Sequence, residues 1–372
     1  MKVLVTGARG FVGKNLCLAL SRMEGVEVMR YDLDNTPAEL DAMLSACDFV
    51  MHLAGVNRPQ DSSEFKTGNM VFTEDILEKL AARGVKTPVL LSSSIQAALD
   101  NPYGISKKAA EDAVWAYGEK TGATVYVFRF ANVFGKWCRP NYNSAVATWC
   151  HNIAHGLPIM VRDPSATVTL IYIDDLVNAL LECLNGRVKV EKGKALSVEP
   201  CYTRTLGEIT DLLYRFQKEP ETLLVPDQAD EFSKKLYATY LSYLPEDKFS
   251  YPVVMHCDNR GSFSELLHTA ERGQVSVNIS KPGITKGQHW HHTKHEKFCV
   301  VSGKGLIQFR KVDAPDQPII DYHVSGEKIE IVRIPPGYTH NIINEGDTDM
   351  VTVMWANEVF DPQKPDTFFE KV

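Results

Sequence analysis

The first half of the chain alternates apolar runs with stretches in which apolar residues recur at helical spacing. Between Lys2 and about Leu184 the runs are VLVT, EVMRY, FVMHLAG, PVLLSSS and VYVFRFANV. Strands that are apolar throughout are buried on both faces, and the intervening helices cover them. The pattern therefore predicts an α/β fold with a doubly wound parallel sheet. The segment between Asp32 and Asp48 has room for one helix, so we expect this sheet to lack a strand that longer folds of this kind insert there.

The pattern changes near residue 245. Before it, residues 205–218 and 229–244 have the spacing of two amphipathic helices. After it come short strands with Gly and Pro turns, among them GQVSVNIS, KFCVVSGKGLIQFR, KIEIVRIPPG and MVTVMWAN. Many short strands with turn signals indicate an antiparallel sandwich or barrel. We expect two domains, residues 1–245 and 246–372.

Composition removes several classes of function. The 372 residues are 44% hydrophobic and 23% charged, and their net charge of −7 offers no basic surface for nucleic acid. No stretch approaches 18 consecutive apolar residues, so we expect no membrane span. The eight cysteines are scattered without a C-x-x-C pair, which is typical of reduced thiols. We therefore expect a cytoplasmic protein.

A glycine-rich loop, VLVTGARGFVG, follows the first strand and places Gly7, Gly10 and Gly13 before a helical pattern. Glycines here permit a tight turn and bring a pyrophosphate close to a helix N-terminus, as in a Rossmann-type site. Asp32, after the second strand, is placed to bond an adenosine ribose and favours NAD. Arg9, inside the loop, can pair with a 2′-phosphate and favours NADP. We expect NADPH, because Arg9 has few structural reasons to stand there.

The segment Tyr103-Gly-Ile-Ser-Lys107 carries the catalytic signal. Residues four apart share one face of a helix, so the lysine charge lies near the tyrosine hydroxyl. We expect it to lower the tyrosine pKa, so that Tyr103 can give a proton to a carbonyl oxygen as hydride reaches the carbon. A serine run, Ser92 to Ser94, ends the preceding strand and can hydrogen-bond that oxygen.

These residues resemble the extended short-chain dehydrogenase/reductase family over about residues 1–245. The matching segments, in order, are TGARGFVG, HLAG, Asn69, SSS, YGISK, RFANVFG and YIDD. The resemblance implies that Tyr103 is the acid/base, Lys107 its tuner and Ser94 (or Ser93) the carbonyl anchor. Asn69 would support a proton-relay water. The residues implied around the coenzyme are Gly7, Arg9, Gly10, Phe11, Val12, Gly13, Asp32, Leu53, Ala54, Asn69 and Lys107, and those implied to face the substrate are Asn132, Arg139 and Asn141. The family mostly handles nucleotide-linked sugars.

The last third carries four potential metal ligands, His289, His291, Glu296 and His340, in the spacing G-x5-H-x-H-x4-E-x6-G followed by P-x-G-x2-H-x3-N. Alternate residues of a strand face the same side, so His289 and His291 can chelate together. Three imidazoles and a carboxylate suit Zn, Fe, Ni or Mn, and we expect a divalent metal, zinc first. The metal either takes part in catalysis or only holds the domain together. His292 and His295 are either a base or support near the metal, or solvent-facing residues.

This pattern resembles the cupin family over about residues 250–365, which implies an all-β barrel after the Rossmann-type domain. The segment from Asp258 to Glu265 resembles the D-x-R-G-x-F-x-E segment of cupin-fold keto-sugar epimerases. In its domain order the chain resembles bifunctional enzymes of capsular-polysaccharide synthesis. That resemblance implies C3 epimerisation of UDP-2-acetamido-2,6-dideoxy-4-hexulose by the cupin, and reduction of the C4 ketone with NADPH to UDP-N-acetyl-6-deoxy-L-talosamine, a precursor of UDP-N-acetyl-L-fucosamine. It also implies a homodimer formed through the cupin domain.

Two alternatives stay open from the sequence. The cupin can be a dimerisation or sugar-binding module attached to a plain keto-sugar reductase. The cluster can also bind iron and activate oxygen, as in some cupins with three histidines and one glutamate.

Overall fold

The computed structural model describes residues 1–59, 61 and 63–372. The chain divides into two compact units. The first contains residues 1–214 and 231–245, and the second contains residues 215–230 and 246–372. The expected boundary near 245 did not anticipate that residues 215–230 belong to the second unit. Backbone hydrogen bonds explain their place, because Val225 N–H donates to the His268 carbonyl at 2.9 Å and His268 N–H donates to the Leu223 carbonyl at 2.8 Å.

The strands of the first unit are β1 Lys2–Thr6, β2 Glu27–Tyr31, β3 Phe49–His52, β4 Val89–Ser94, β5 Val125–Phe130, β6 Asn132–Phe134, β7 Thr167–Tyr172 and β8 Cys201–Thr205. Five of them form a parallel sheet in the order β2-β1-β3-β4-β5. A separate three-stranded sheet has the order β6-β7-β8. The predicted parallel sheet is confirmed. The run VYVFRFANV, however, is two strands in two sheets, broken at Ala131.

The described residues form ten α-helices, most of them in the first unit. They are α1 Phe11–Leu20, α2 Pro37–Ala46, α3 Ser63–Phe65, α4 Phe72–Ala82, α5 Pro102–Thr121, α6 Ala145–Ala154, α7 Ile173–Leu184, α8 Leu206–Gln217, α9 Glu219–Thr222 and α10 Glu231–Leu241. A π-helical stretch, Lys66–Val71, joins α3 to α4, and 3₁₀ turns cover Ile95–Ala98 and Glu246–Lys248. Among the described residues, no helix is both long and apolar enough to cross a bilayer.

Local sequence explains where the helices begin. Thr36 caps α2 through a reciprocal pair of hydrogen bonds with Glu39, and Pro37 occupies the first turn, where its missing N–H costs nothing. This single helix fills the segment between Asp32 and Asp48, so no strand is inserted there, as its length predicts. The side chain of Asn101 caps α5 by accepting the N–H of Gly104 at 2.8 Å.

Successive residues of the central strands supply the cores on the two faces of the sheet. Val3 and Val5 of β1 belong to a cluster with residues of α1 and α7. Leu4, between them, belongs to a second cluster with residues of α2, α4 and α5. Because both faces are covered, the strands are apolar throughout.

The second unit consists of antiparallel strands in two sheets, which confirms the predicted change of strand type. One sheet has the order β16-β13-β18-β11-β10-β9 and the other has the order β15-β14-β17-β12-β19. The strands are β9 His256–Asp258, β10 Gly261–Thr269, β11 Gly273–Ser280, β12 Thr285–Trp290, β13 Glu296–Ser302, β14 Lys304–Lys311, β15 Ile320–Ser325, β16 Val332–Ile334, β17 Tyr338–Asn344, β18 Met350–Ala356 and β19 Phe368–Phe369. The run KIEIVRIPPG forms only the short strand β16.

Candidate functional site

The glycine loop joins β1 to α1 at the carboxyl edge of the parallel sheet. Gly7 has a φ of +66°, which favours glycine, and the Gly10 N–H closes the turn on the Gly7 carbonyl at 3.0 Å. A methyl group at Gly13 would lie 2.0 Å from the same oxygen, so a side chain there would push α1 away from the loop. The N-terminus of α1, which starts with Phe11 and Val12, has no side-chain cap. The loop therefore fits the pyrophosphate of a dinucleotide.

The segment after β3 lies directly beside this loop. A methyl group at Gly7 would lie 2.9 Å from the Cα of Ala54, and the Ala54 N–H donates to Thr6 Oγ1 at 3.2 Å. Leu53 packs against the core cluster that contains β1. The strand order reverses between β1 and β3, and open α/β sheets bind their ligands at that position. The structure thus brings the predicted residues of both segments to one crevice.

Arg9 and Asp32, which favour different coenzymes, are connected through the backbone. Asp32 accepts the N–H of Arg9 at 2.7 Å and so ties the loop to the end of β2. The Arg9 guanidinium pairs with Asp34, and both side chains are about half exposed or more. Asp32 therefore has a structural task besides any contact with a ribose.

Tyr103 and Lys107 lie on the first turns of α5 and face the end of β4. Lys107 is buried and donates to the Ser92 carbonyl at 3.0 Å, with its Nζ 6.0 Å from the centre of the Tyr103 ring. Burial lowers the pKa of Lys107 to about 8, and the charge of Glu111 opposes this shift. Burial raises the pKa of Tyr103, and the neighbouring Ser94 side chain opposes that shift. The expected lowering of the Tyr103 pKa by Lys107 is not found, because desolvation of the phenolate is the largest influence on this pKa and raises it.

The two candidate serines at the end of β4 have different partners. The Ser94 side chain lies close enough to Tyr103 to oppose the rise in its pKa, and it accepts the N–H of Gln96 at 3.2 Å. Ser93 is buried and donates to Glu111 at 2.6 Å. Of the two, only Ser94 is brought to the tyrosine.

Asn69 lies in the π-helical stretch and is buried beside Lys107. Its amide accepts the N–H of Val56 at 2.8 Å and donates to Ser106 Oγ at 3.0 Å. A methyl group at Gly55 would lie 2.8 Å from Asn69 Oδ1 and 3.0 Å from Lys107 Nζ. Gly55 thus leaves open the space that these two polar groups share.

The three residues expected to face the substrate lie at the start of β6 and just beyond its end. Asn132 is exposed and donates to the Thr169 carbonyl at 3.3 Å. Asn141 has a φ of +55°. The Arg139 guanidinium lies 5.2 Å from the centre of the Tyr142 ring, and the Arg58 guanidinium lies 5.9 Å from the same ring. Arg58 was not predicted, because its proximity to Arg139 arises only from folding.

In the second unit, the four predicted metal ligands form one cluster. One potential ligand atom from each of His289, His291, Glu296 and His340 lies within 4.8 Å of the others. His289 and His340 come from one sheet and Glu296 from the other. The buried atoms His291 Nε2, His340 Nε2 and Glu296 Oε2 find no hydrogen-bond partner among the described residues. Buried polar atoms are normally paired, so this donor set fits a divalent metal.

The charge states in the cluster also fit a metal. Burial lowers the pKa of His289 to about 4, and the neighbouring His340 and His291 add to this effect. Burial by itself raises the pKa of Glu296, but the nearby His291 and His340 and the charge of Lys294 outweigh it and hold the pKa well below its usual range. Neutral imidazole and ionised carboxylate are the forms that bind metals.

Asp366 holds the loop next to this cluster. Its carboxylate accepts the N–H groups of His292, Thr293 and Lys294 at 2.9, 2.7 and 2.8 Å, and its carbonyl oxygen contacts His291 Nδ1. The exposed His292 packs its ring against Trp290 and Phe368. His295, also exposed, packs against Trp355. The sequence left open whether His292 and His295 act near the metal or face solvent. In the structure both face solvent.

A cavity of about 400 Å³ opens beside the cluster. Its lining includes His289, Glu296 and His340, together with Asp258 and Arg260. Lys286, which the sequence did not single out, also lines it.

Comparison with known proteins covers the whole chain. Residues 3–198 match the NAD dependent epimerase/dehydratase family, and residues 256–368 match the polysaccharide biosynthesis C-terminal domain. The chain is 47% identical to a UDP-2-acetamido-2,6-beta-L-arabino-hexul-4-ose reductase of Pseudomonas aeruginosa, over 99% of this chain and 98% of the relative. The crystal structure of the capsular polysaccharide assembling protein CapF from Staphylococcus aureus is similar over 100% of both chains, with 51% identity and a TM-score of 0.94. The structure of RMD from Pseudomonas aeruginosa with NADPH is similar over 58% of this chain and 82% of the RMD chain, with 27% identity and a TM-score of 0.50.

Proposed function

Because this chain belongs to the NAD dependent epimerase/dehydratase family, we propose that its first unit reduces the ketone of a UDP-linked 4-keto-6-deoxy amino sugar with NADPH. The Pseudomonas aeruginosa relative is named as a reductase of such a sugar, and RMD was solved with NADPH, which supports both choices. We place the protein in capsule or O-antigen polysaccharide synthesis, since the Staphylococcus aureus relative assembles capsular polysaccharide.

The observation that carries the reductase is the meeting of Tyr103, Ser94 and Lys107 beside the glycine loop. NADPH, when bound along that loop, supplies the hydride for the C4 carbon. The Tyr103 hydroxyl gives its proton to the C4 oxygen, and Ser94, which neighbours Tyr103, binds the same oxygen. Lys107 and Asn69 border the space next to Gly55, where Asn69 would support a water that relays a proton. Burial keeps Tyr103 protonated before reaction, which suits a proton donor.

We assign C3 epimerisation of the same sugar to the second unit, in the form of a cupin barrel. The support is the cavity in which the ligand cluster meets the segment of Asp258 and Arg260. His289, His291, Glu296 and His340 would hold a divalent metal, with zinc as the first choice, which would supply Lewis-acid stabilisation of negative charge on the sugar. Epimerisation followed by reduction would give UDP-N-acetyl-6-deoxy-L-talosamine. We also propose that the protein forms a homodimer through this domain.

The test uses the UDP-2-acetamido-2,6-dideoxy-4-hexulose, with NMR of the product sugar. Tyr103→Phe removes the proton donor, so NADPH oxidation should fall by ~100-fold or more. Exchange of sugar hydrogen with deuterated water should persist, since that step belongs to the other unit. Tyr214→Phe, at an exposed tyrosine, is the matched control and should change neither rate.

The same experiment separates the candidate functions. If Tyr103→Phe loses both hydrogen exchange and NADPH oxidation, the assignment of the two reactions to separate units is contradicted. A wild-type protein that oxidises NADPH without any exchange would be a plain reductase whose second unit only binds or dimerises.

A further inference from the structure

An irregular strand brings a lysine into the cavity of the second unit. On a regular strand, residues three apart face opposite sides, so Lys286 and His289 would be separated. The pairing of β12 with β17 shifts between Gly287 and His289, and Gln288 has a φ of +64°. This bulge inserts one residue, and as a result both Lys286 and His289 line the cavity.

The amine of Lys286 has two fixed acceptors. Its Nζ lies 2.6 Å from Asn278 Oδ1 and 2.9 Å from the Ile279 carbonyl oxygen. A neutral amine has two N–H groups and one lone pair. With both N–H groups donated to these acceptors, the lone pair is left over.

The surroundings of Lys286 favour that neutral form. Burial lowers the pKa of Lys286, the charge of Arg260 adds to this, and Asp258 opposes it. Asp258 is itself held by the Arg260 guanidinium at 2.9 and 2.6 Å. Lys286 forms no ion pair with a carboxylate among the described residues.

The other ionisable groups that line the cavity are already committed or exposed. Lys294 pairs with Glu296 at 3.3 Å, and Glu296 belongs to the ligand cluster with His289 and His340. His256 is exposed. Among the described residues that line this cavity, Lys286 is therefore the ionisable group that has no ion-pair partner and whose amine is held in place by two hydrogen bonds.

We infer that Lys286 is the general base of the epimerisation, removing the C3 proton of the keto sugar. This inference rests on the epimerase function proposed above. The C3–H bond breaks, an N–H bond forms on Nζ, and the electron pair moves into a C3–C4 double bond with the charge on the C4 oxygen. Water on the opposite face supplies the proton for the new C3–H bond, and the hydroxide left behind takes the proton from Lys286.

The experiment follows incorporation of deuterium at C3 by NMR, with the same UDP-hexulose in deuterated water and without NADPH. Lys286→Met and Lys286→Arg should both lower the exchange rate by ~100-fold or more, because neither offers an amine base at working pH. Lys281→Met, at an exposed lysine five residues away, should exchange as the wild type does. Metal content and thermal midpoint are measured for each variant, so that loss of the cluster or of the fold is detected separately.

Three outcomes would overturn the inference in distinguishable ways. If the wild type shows no exchange, the epimerase proposal itself fails. If the wild type exchanges and Lys286→Met exchanges equally fast, only the role of Lys286 is wrong. If Lys286→Arg exchanges normally while Lys286→Met does not, the residue supplies a positive charge to the ketone oxygen and is not the base.

Discussion

At the scale of single residues, contacts in the folded protein distinguish side chains that look equivalent in the sequence. Ser93 and Ser94 are neighbours in a run of three serines, and either can bind a carbonyl oxygen. The Ser93 hydroxyl donates a hydrogen bond to the buried Glu111, whereas Ser94 lies beside Tyr103 and opposes the rise in its pKa. Ser94 is therefore the serine positioned for the reduction, and Ser93 is part of the packing of α5.

Substitution of these serines should separate activity from stability. Ser94→Ala should lower the kcat of NADPH oxidation ~10- to 100-fold with little change in thermal midpoint, since it removes a donor to the reacting oxygen. Ser93→Ala should lower the midpoint instead, because Glu111 loses one of its buried hydrogen bonds. Steady-state kinetics and thermal unfolding of both variants check this assignment, and equal loss of kcat in both would contradict it.

At the scale of elements, Glu111 fixes α5 to the two strands beneath it. Its fully buried carboxylate accepts Ser93 of β4 at 2.6 Å and the Arg129 guanidinium of β5 at 2.8 and 2.7 Å. It stands one helical turn after Lys107, on the same face of α5, and its charge supports the ammonium form of that lysine. One ion pair thus aligns the helix that carries Tyr103 and also affects the charge of Lys107.

This coupling predicts a change in the pH profile of the reductase. The pKa of Lys107 is about 8, so its positive charge is lost as pH rises through that value. Glu111→Gln removes the opposing carboxylate, so the pKa of Lys107 falls further and the alkaline decline of kcat/KM should begin at lower pH. Asp112→Asn, at the exposed neighbour that pairs with Lys108, is the matched control and should keep the wild-type profile. An unchanged pH profile in Glu111→Gln would show that deprotonation of Lys107 does not cause the alkaline decline of kcat/KM.

At the scale of the whole molecule, each unit has its own hydrophobic core. The first is organised around the parallel sheet, and the second around Phe298, Ile307 and Ile342 between antiparallel strands. The dinucleotide loop belongs entirely to the first unit and the ligand cluster entirely to the second. Units with separate cores can unfold in separate transitions.

Removal of the proposed metal should therefore affect one thermal transition more than the other. A ligand that binds only the folded state stabilises it by about 4 kcal/mol when present at 1,000 times its dissociation constant. Chelation should lower the thermal transition of the second unit and abolish deuterium exchange, while NADPH binding to the first unit persists. Calorimetry and NADPH fluorescence, with zinc added back as the control, measure both effects. Loss of NADPH binding on chelation would contradict this separation.

Local patterns determined much of this protein from the sequence alone. The apolar runs, the glycine loop, the Tyr103–Lys107 spacing and the neighbouring His289 and His291 each depend on residues close together in the chain, where strand and helix periodicity decide which side chains share a face. Tertiary structure alone decided which serine meets Tyr103, how burial sets the pKa of Tyr103, that residues 215–230 join the second unit, and that a bulge turns Lys286 toward His289. Those outcomes depend on desolvation and on hydrogen bonds between residues far apart in sequence, which no local period encodes.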